Sequence, residues 1–224
     1  FIKKKNLKIK FYDLFLTKFY TWDNYICWTN EQRKWLKDNV KFTNPKVMMC
    51  KFIPFHGQNT TLSKFKNEKI ISIFDVPPKN NKFKLTFLNP YNLYTEKYCI
   101  KFLEDIIKNI KGSNIKIIIK IKNINEDMSK KYFKYIDILE KKNKNNILIY
   151  RAGISAKSVI KVSDIVISLP FSSPSLIAKR MKIESFYYDP LNIVKLTEYN
   201  DRSVNMINTK KNLKKIIEDS KLLN

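Results

Sequence analysis

The residues of this chain best placed to do chemistry lie in one stretch, Asp164-Ile-Val-Ile-Ser-Leu-Pro-Phe-Ser-Ser-Pro-Ser-Leu-Ile-Ala178. An apolar run from Ile165 to Leu169 stops at Pro170, and Ser172, Ser173 and Ser175 surround Pro174. A strand that ends in a serine-rich turn and feeds a helix makes an anion cradle. The N–H groups of the first helical turn have no intrahelical acceptor, and the helix dipole is positive at that end. The spacing puts Ser173 at the N-cap and Pro174 at the first helical position, which suits both residue types. Two roles are open to the three serines: capping the helix, or binding a phosphate held at its end.

Other candidates follow short apolar runs. Lys120 and Lys122 stand at the end of the run Ile115–Ile121, where a lysine would either reach a phosphate or stay solvated. Arg151, two residues before Gly153, follows Ile147–Tyr150. An arginine fork beside a flexible turn suits a diphosphate, and a surface arginine is the alternative. Asp75 precedes Val76-Pro77-Pro78, where it would cap the turn or contact a substrate. Tyr187, Tyr188 and Asp189 end the last apolar run; the tyrosines would pack in a core or stack on a base. His56 sits among breakers and reads as a linker residue rather than a catalytic base.

Several chemistries are excluded or disfavoured. Glycine occurs only at 57, 112 and 153, so neither a P-loop nor a glycine-rich dinucleotide fingerprint exists. A single histidine excludes the usual histidine-rich metal sites and disfavours a Ser-His-Asp triad. No two aspartates lie two apart, so an Asp-x-Asp metal pair is missing and no metal is expected. Cys27, Cys50 and Cys99 are odd in number and widely spaced, which reads as reduced, buried thiols in a cytoplasmic protein. No apolar run approaches the roughly 18 residues needed to span a bilayer.

The elements that must position these residues alternate. The sequence predicts strands at 25–28 and 46–53, with a helix between them that Thr29 caps. Residues 54–69 are polar and breaker-rich, a linker pattern. Beyond them the predicted strands are 70–74, 115–121, 147–150, 165–169 and 184–188. The predicted helices are 95–111, 127–142, 155–162, 174–181 and 210–223. Apolar residues Cys99, Phe102, Leu103, Ile106 and Ile110 recur at helical spacing, as do Met128, Tyr132, Ile136 and Leu139. Such alternation means βαβ units, hence an α/β fold with a parallel sheet. Ligands then bind beyond the carboxyl ends of the strands. That rule selects the loops 75–80, 120–126, 151–155, 170–175 and 189–192.

The formal net charge of +24 suggests polyanions at first sight. Its make-up argues otherwise. Lysine supplies 40 of the 44 basic residues and asparagine occurs 24 times, the signature of an A/T-rich coding bias. The lysines are scattered, and arginine, whose fork reads phosphate and guanine, occurs four times. Nucleic acid is therefore not the expected partner. An anionic membrane surface remains an expected contact.

The layout of 147–190 resembles the C-terminal, donor-binding domain of GT-B glycosyltransferases, closest to bacterial surface-polysaccharide biosynthesis proteins. The shared features are a strand, a short helix, Ser163-Asp164 leading into an apolar strand, the small-residue loop 170–175, a helix, and a strand ending in Asp189-Pro190. The segment 22–56, with Trp22, Trp28, Gln32 and Trp35, resembles the last strand–helix–strand of the N-terminal domain in the same proteins.

This resemblance implies residues 1–56 as the end of an acceptor-side α/β domain, 57–69 as linker, and 70–224 as a Rossmann-like domain that binds a nucleotide sugar. A chain that starts at Phe1 would then be the C-terminal part of a longer protein. The resemblance also implies that Ser172, Ser173 and Ser175 hold the donor's diphosphate or ribose, with Arg151, Gly153, Lys120 and Asp75 around them. Many retaining members carry a second glutamate on the helix at the place of Ile177, and this chain departs from them there.

The implied activity is metal-independent transfer of a sugar from a nucleotide-sugar donor, a substrate rather than a cofactor. The acceptor would be a polysaccharide, lipopolysaccharide or lipid-linked glycan. The setting would be the cytoplasm, at the inner face of the membrane. The competing expectations are a nucleotide-sugar 2-epimerase and a non-enzymatic binder of nucleic acid or membrane surface.

Overall fold

The computed structural model describes residues 24–27, 29–39, 46–50, 62, 68–78, 94–110, 115–122, 128–143, 145–151, 153–196 and 202–219. The chain divides into two compact units, residues 1–54 with 195–202, and residues 55–194 with 203–224. The linker expected at 57–69 lies outside the described residues except for Leu62, Glu68 and Lys69, and His56 lies outside them too.

In the smaller unit, β1 (Asn24–Cys27) pairs in parallel with β2 (Lys46–Met49), and α1 (Asn30–Asn39) joins them. Thr29 starts the helix as the sequence predicts: its hydroxyl accepts from the Gln32 N–H at 3.2 Å. Strand alternation buries Tyr25 and Cys27 and exposes Asn24 and Ile26.

The larger unit contains β3 (Lys69–Asp75), α2 (Glu96–Ile110), β4 (Ile115–Ile121), α3 (Lys130–Lys142), β5 (Ile147–Tyr150), α4 (Ala156–Val162), β6 (Ile165–Ser168), α5 (Ser173–Arg180), β7 (Glu184–Tyr188), β8 (Asn205–Ile207) and α6 (Lys210–Asp219). The six strands form one sheet in the order β5-β4-β3-β6-β7-β8, every pairing parallel. The expected α/β class is what the chain adopts, a Rossmann-like sheet flanked by helices. β8, three residues long, is an edge strand the sequence reading did not include.

The burial pattern explains the sequence runs. Strands of a parallel sheet are covered on both faces and need continuous apolar stretches. All of β3 after Lys69 is buried, and so is all of β6. On one face Ile71, Ile73, Ile117, Ile119 and Ile167 pack against Phe102, Leu103 and Ile106 of α2, Tyr132 and Ile136 of α3, and Leu213 and Ile217 of α6. α4 and α5 pack together and cover the other face.

Local signals set the helix starts. Ser129 accepts from the Tyr132 N–H at 3.2 Å, so α3 opens at Lys130 rather than at 127. Ser155 caps α4, accepting from the Ser158 N–H at 3.1 Å. The Ser163-Asp164 pair has a mechanical role. The Asp164 carboxylate accepts from the Ile70 N–H at 2.8 Å, and the Asp164 N–H donates to the Ile70 carbonyl at 2.9 Å. Ser163 donates to the Ser72 hydroxyl at 2.6 Å. Together they pin the start of β6 beside β3. Among the described residues no helix is long and apolar enough to cross a membrane.

Candidate functional site

Counted from β3, the strand order is 3-2-1-4-5-6, so the chain leaves β3 toward β4 and later returns to place β6 on the opposite flank. At such a switch point the loops that follow the two central strands generally diverge, and the crevice between them at the carboxyl edge is where ligands bind. The register Phe74↔Ser168 puts Asp75 and Leu169 at the same level of the two strand ends.

The loop after β6 is held from several sides. Phe171 has φ 60°, a left-handed conformation that a bulky residue adopts only when its neighbours enforce it. Its ring lies 6.1 Å from that of Tyr187. Ser172, not Ser173, is the N-cap of α5, and Pro174 is the second helical residue. The cap is also unusual. The Ser172 hydroxyl makes no bond to the helix and instead donates back to the Leu169 carbonyl at 2.8 Å. No N-cap side chain therefore serves the first-turn N–H groups of α5. The Ser172 carbonyl accepts from the Tyr187 hydroxyl at 3.2 Å. Ser173 is exposed at the first helical position.

Ser175 lies elsewhere: fully buried, it shares a hydrogen bond with Ser168 and donates to the Phe186 carbonyl at 2.9 Å. Ser185 in turn donates to the Ser175 carbonyl at 3.0 Å. This serine ties α5 to β6 and β7 beneath the loop. The structure thus places Ser172 and Ser173 at the accessible start of α5 and keeps Ser175 in the core.

Asp75 ends the central strand and is 2% exposed. The Tyr132 hydroxyl donates to its Oδ2, while its Oδ1 is buried without a partner among the described residues. Burial raises its pKa to about 7, against the opposing hydrogen bond from the Val76 backbone. Cys99 donates to the Val76 carbonyl at 3.4 Å, and burial, then the Asp75 charge, pushes its thiol up. Tyr132 reads in the sequence as one of a packing stripe, and nothing in a separation of 57 residues announces this pairing.

Lys120 and Arg151 stand two or more strands away from the loop after β6. Lys120 is half-buried, and its ammonium donates to the carbonyls of Ile121 at 2.9 Å and Arg151 at 3.4 Å. Burial lowers its pKa. Lys122 is exposed, and its backbone N–H donates to the Asp75 carbonyl at 3.3 Å. The Arg151 fork is held by α3, with Glu140 at 2.7 Å and Asp137 at 2.9 Å, and these partners raise its pKa, the Glu140 hydrogen bond most. Gly153 has φ 83° with nothing within 4 Å of where a Cβ would sit, so its need for glycine is conformational, not spatial.

At the end of β7, Asp189 is buried and organises its own loop, accepting from Tyr98 at 3.0 Å, Leu191 N–H at 3.2 Å and Val194 N–H at 2.8 Å. Tyr188 donates to the buried Asp105 at 2.9 Å. Both tyrosines of that strand are therefore packed and hydrogen-bonded. Among the described residues no cluster of three or more His, Cys, Asp or Glu could hold a metal.

A solved structure of Thermosulfurimonas dismutans KpsC, beta Kdo 2,4 transferase, matches this chain at 10% identity with a TM-score of 0.38. The match covers 82% of this chain and 53% of that one, so the chain spans about half the length of the structure it matches. No curated protein sequence matches. The family model described as polysaccharide biosynthesis PFTS motif protein matches residues 6–217. The matched span includes the loop after β6, and the chain belongs to the polysaccharide biosynthesis PFTS motif family.

Proposed function

We propose that this chain is the donor-binding part of a glycosyltransferase of polysaccharide biosynthesis. It would take a sugar from a nucleotide-sugar donor and pass it to a glycan or lipid-linked acceptor. The observation that carries the reading is the serine-rich loop lying at the switch point of a Rossmann-like sheet, where it opens a helix whose N-cap side chain is turned away from the helix. The first-turn N–H groups of α5 then face the crevice without a side-chain acceptor. The donor's diphosphate would dock on them, with the exposed Ser173 hydroxyl beside it. As the glycosidic bond breaks, charge grows on the departing diphosphate. N–H groups held in place beforehand stabilise that charge without reorganising.

In this reading Asp75 borders the crevice on the β3 side, and the lysine-rich surface meets the anionic inner face of the membrane where a lipid-linked acceptor resides. Donor binding needs no metal in this proposal, because the N–H groups at the start of α5 stabilise the phosphates.

The test is a thermal-shift and calorimetric panel of uridine, guanosine, cytidine and adenosine diphosphates and their sugars, at low and moderate salt. Selective stabilisation by one nucleotide, weakened in Ser173→Pro, supports the reading. No selectivity, together with salt-sensitive binding to any polyanion, replaces it with a basic surface binder.

A further inference from the structure

The serine-rich loop after β6 takes its final geometry from a side chain outside it. Tyr187 lies in β7 and is 1% exposed. Its hydroxyl crosses to the Ser172 carbonyl at 3.2 Å, and its ring lies beside that of Phe171. That carbonyl belongs to the N-cap residue of α5. Tyr187 therefore holds the peptide group that leads into the helix.

The Ser172 carbonyl and the Ser173 N–H belong to one peptide unit. The unit is planar and trans, so the two groups point in opposite directions, and holding one aims the other. A hydrogen bond accepted by the carbonyl also polarises the peptide and strengthens its N–H as a donor. The remaining bonds of the loop do not have this effect. Ser172 Oγ fixes the Leu169 carbonyl, and Ser175 fixes the body of the helix to β6 and β7.

We infer that Tyr187 is a positioning residue for the donor site: from behind the loop, and without touching ligand, it aims the Ser173 N–H at the diphosphate. The inference rests on the functional reading above. It also gives a reason for the left-handed Phe171, whose ring and backbone bring the Ser172 carbonyl within reach of the phenol.

The experiment compares the 224-residue chain with Tyr187→Phe, which keeps the ring and its packing and removes only the hydroxyl. Serine-selective 15N labelling follows the Ser173 amide, assigned by its absence in Ser173→Ala, and calorimetry measures the nucleoside diphosphate that the wild type selects. In Tyr187→Phe the Ser173 amide proton should move upfield without ligand, and the Kd should rise about 3- to 10-fold, the effect of one neutral hydrogen bond. Tyr188→Phe, which loses its bond to Asp105, should lower the Tm and leave both the Kd and the Ser173 resonance unchanged. An unmoved Ser173 amide and an unchanged Kd in Tyr187→Phe overturn the inference while leaving the functional reading in place. A wild type that binds no nucleoside diphosphate overturns the functional reading, and the inference with it.

Discussion

Replacing Asp75 by asparagine should stabilise this protein above neutral pH, and the difference should grow in its favour as pH rises from 4. Asp75 is 2% exposed, and one of its oxygens has no partner among the described residues. Its pKa is about 7 in the folded chain against an ordinary 3.8. The sign follows from proton counting. Between about pH 4 and pH 7 the folded state holds a proton that the unfolded state has lost, so stability falls as pH rises through this window. The gap of about three pKa units corresponds to about 4 kcal/mol of destabilisation, fully present above pH 7 and absent below pH 4. Asparagine removes the ionisation and keeps an acceptor for Tyr132. Its amide leaves donors buried in place of the orphan oxygen, which costs about 1–2 kcal/mol. The expected difference, variant minus wild type, is therefore slightly negative near pH 4 and about +2 kcal/mol at pH 8. Urea unfolding of both proteins at four pH values, with equal m-values, measures it directly, because every other titrating group cancels. A difference that stays flat with pH would refute the reasoning, since Asp75 would then ionise as freely when folded as when unfolded.

Other outcomes follow from the same geometry. Asp105 is buried against Lys101 at 2.9 Å and Tyr188 at 2.9 Å, with Lys210 at 2.8 Å from α6; Asp105→Ala should cost about 3 kcal/mol in chemical denaturation by leaving a buried phenol and a half-buried ammonium unpaired. Burial alone would raise the Asp105 pKa, but its bonds to Lys210, Lys101 and Tyr188 outweigh that and lower it. Its contribution should thus persist at neutral pH and fade only as pH falls through the lowered value. Ser175→Ala should lower stability by about 1–2 kcal/mol and leave nucleotide affinity unchanged by calorimetry, because this hydroxyl serves Ser168 and Phe186. Arg151→Ala breaks two partly exposed ion pairs and should shift stability by under about 1 kcal/mol, with the nucleotide Kd unchanged; a tenfold loss of affinity would show that the fork leaves Glu140 and Asp137 for the ligand.

How much of the site was legible follows from the range of the forces involved. Periodicity is local, so the alternation of apolar runs with amphipathic helices was enough for the α/β class and the parallel sheet. It was also enough to single out the loop after β6, because Pro170, the serines and Pro174 punctuate the chain within five residues. Thr29 and Ser155 read correctly as caps because a cap bond spans three residues. The cap of α5 was displaced by one residue. The Ser172 hydroxyl bonds backward to Leu169 rather than forward, and the left-handed turn at Phe171 that allows this carries no glycine to announce it.

What the amino-acid sequence determined alone was therefore the set of elements apart from the short edge strand β8, their order and the loops that end them, all products of contacts a few residues apart. Strand order, and with it the switch point that sets Asp75 beside Leu169, was decided only in the folded molecule, where β3 pairs with β6 across ninety-odd residues. The fates of individual polar groups were decided there too. Ser175 and Ser173 are two residues apart and of one type, yet helix rotation buries the first against β6 and β7 and exposes the second to the crevice. Arg151 faces two acids on α3 because β5 is an edge strand beside that helix. Side-chain chemistry is written in the sequence, but which partner each group meets depends on long-range packing, where a change of one residue in register turns a ligand-facing group into a core one.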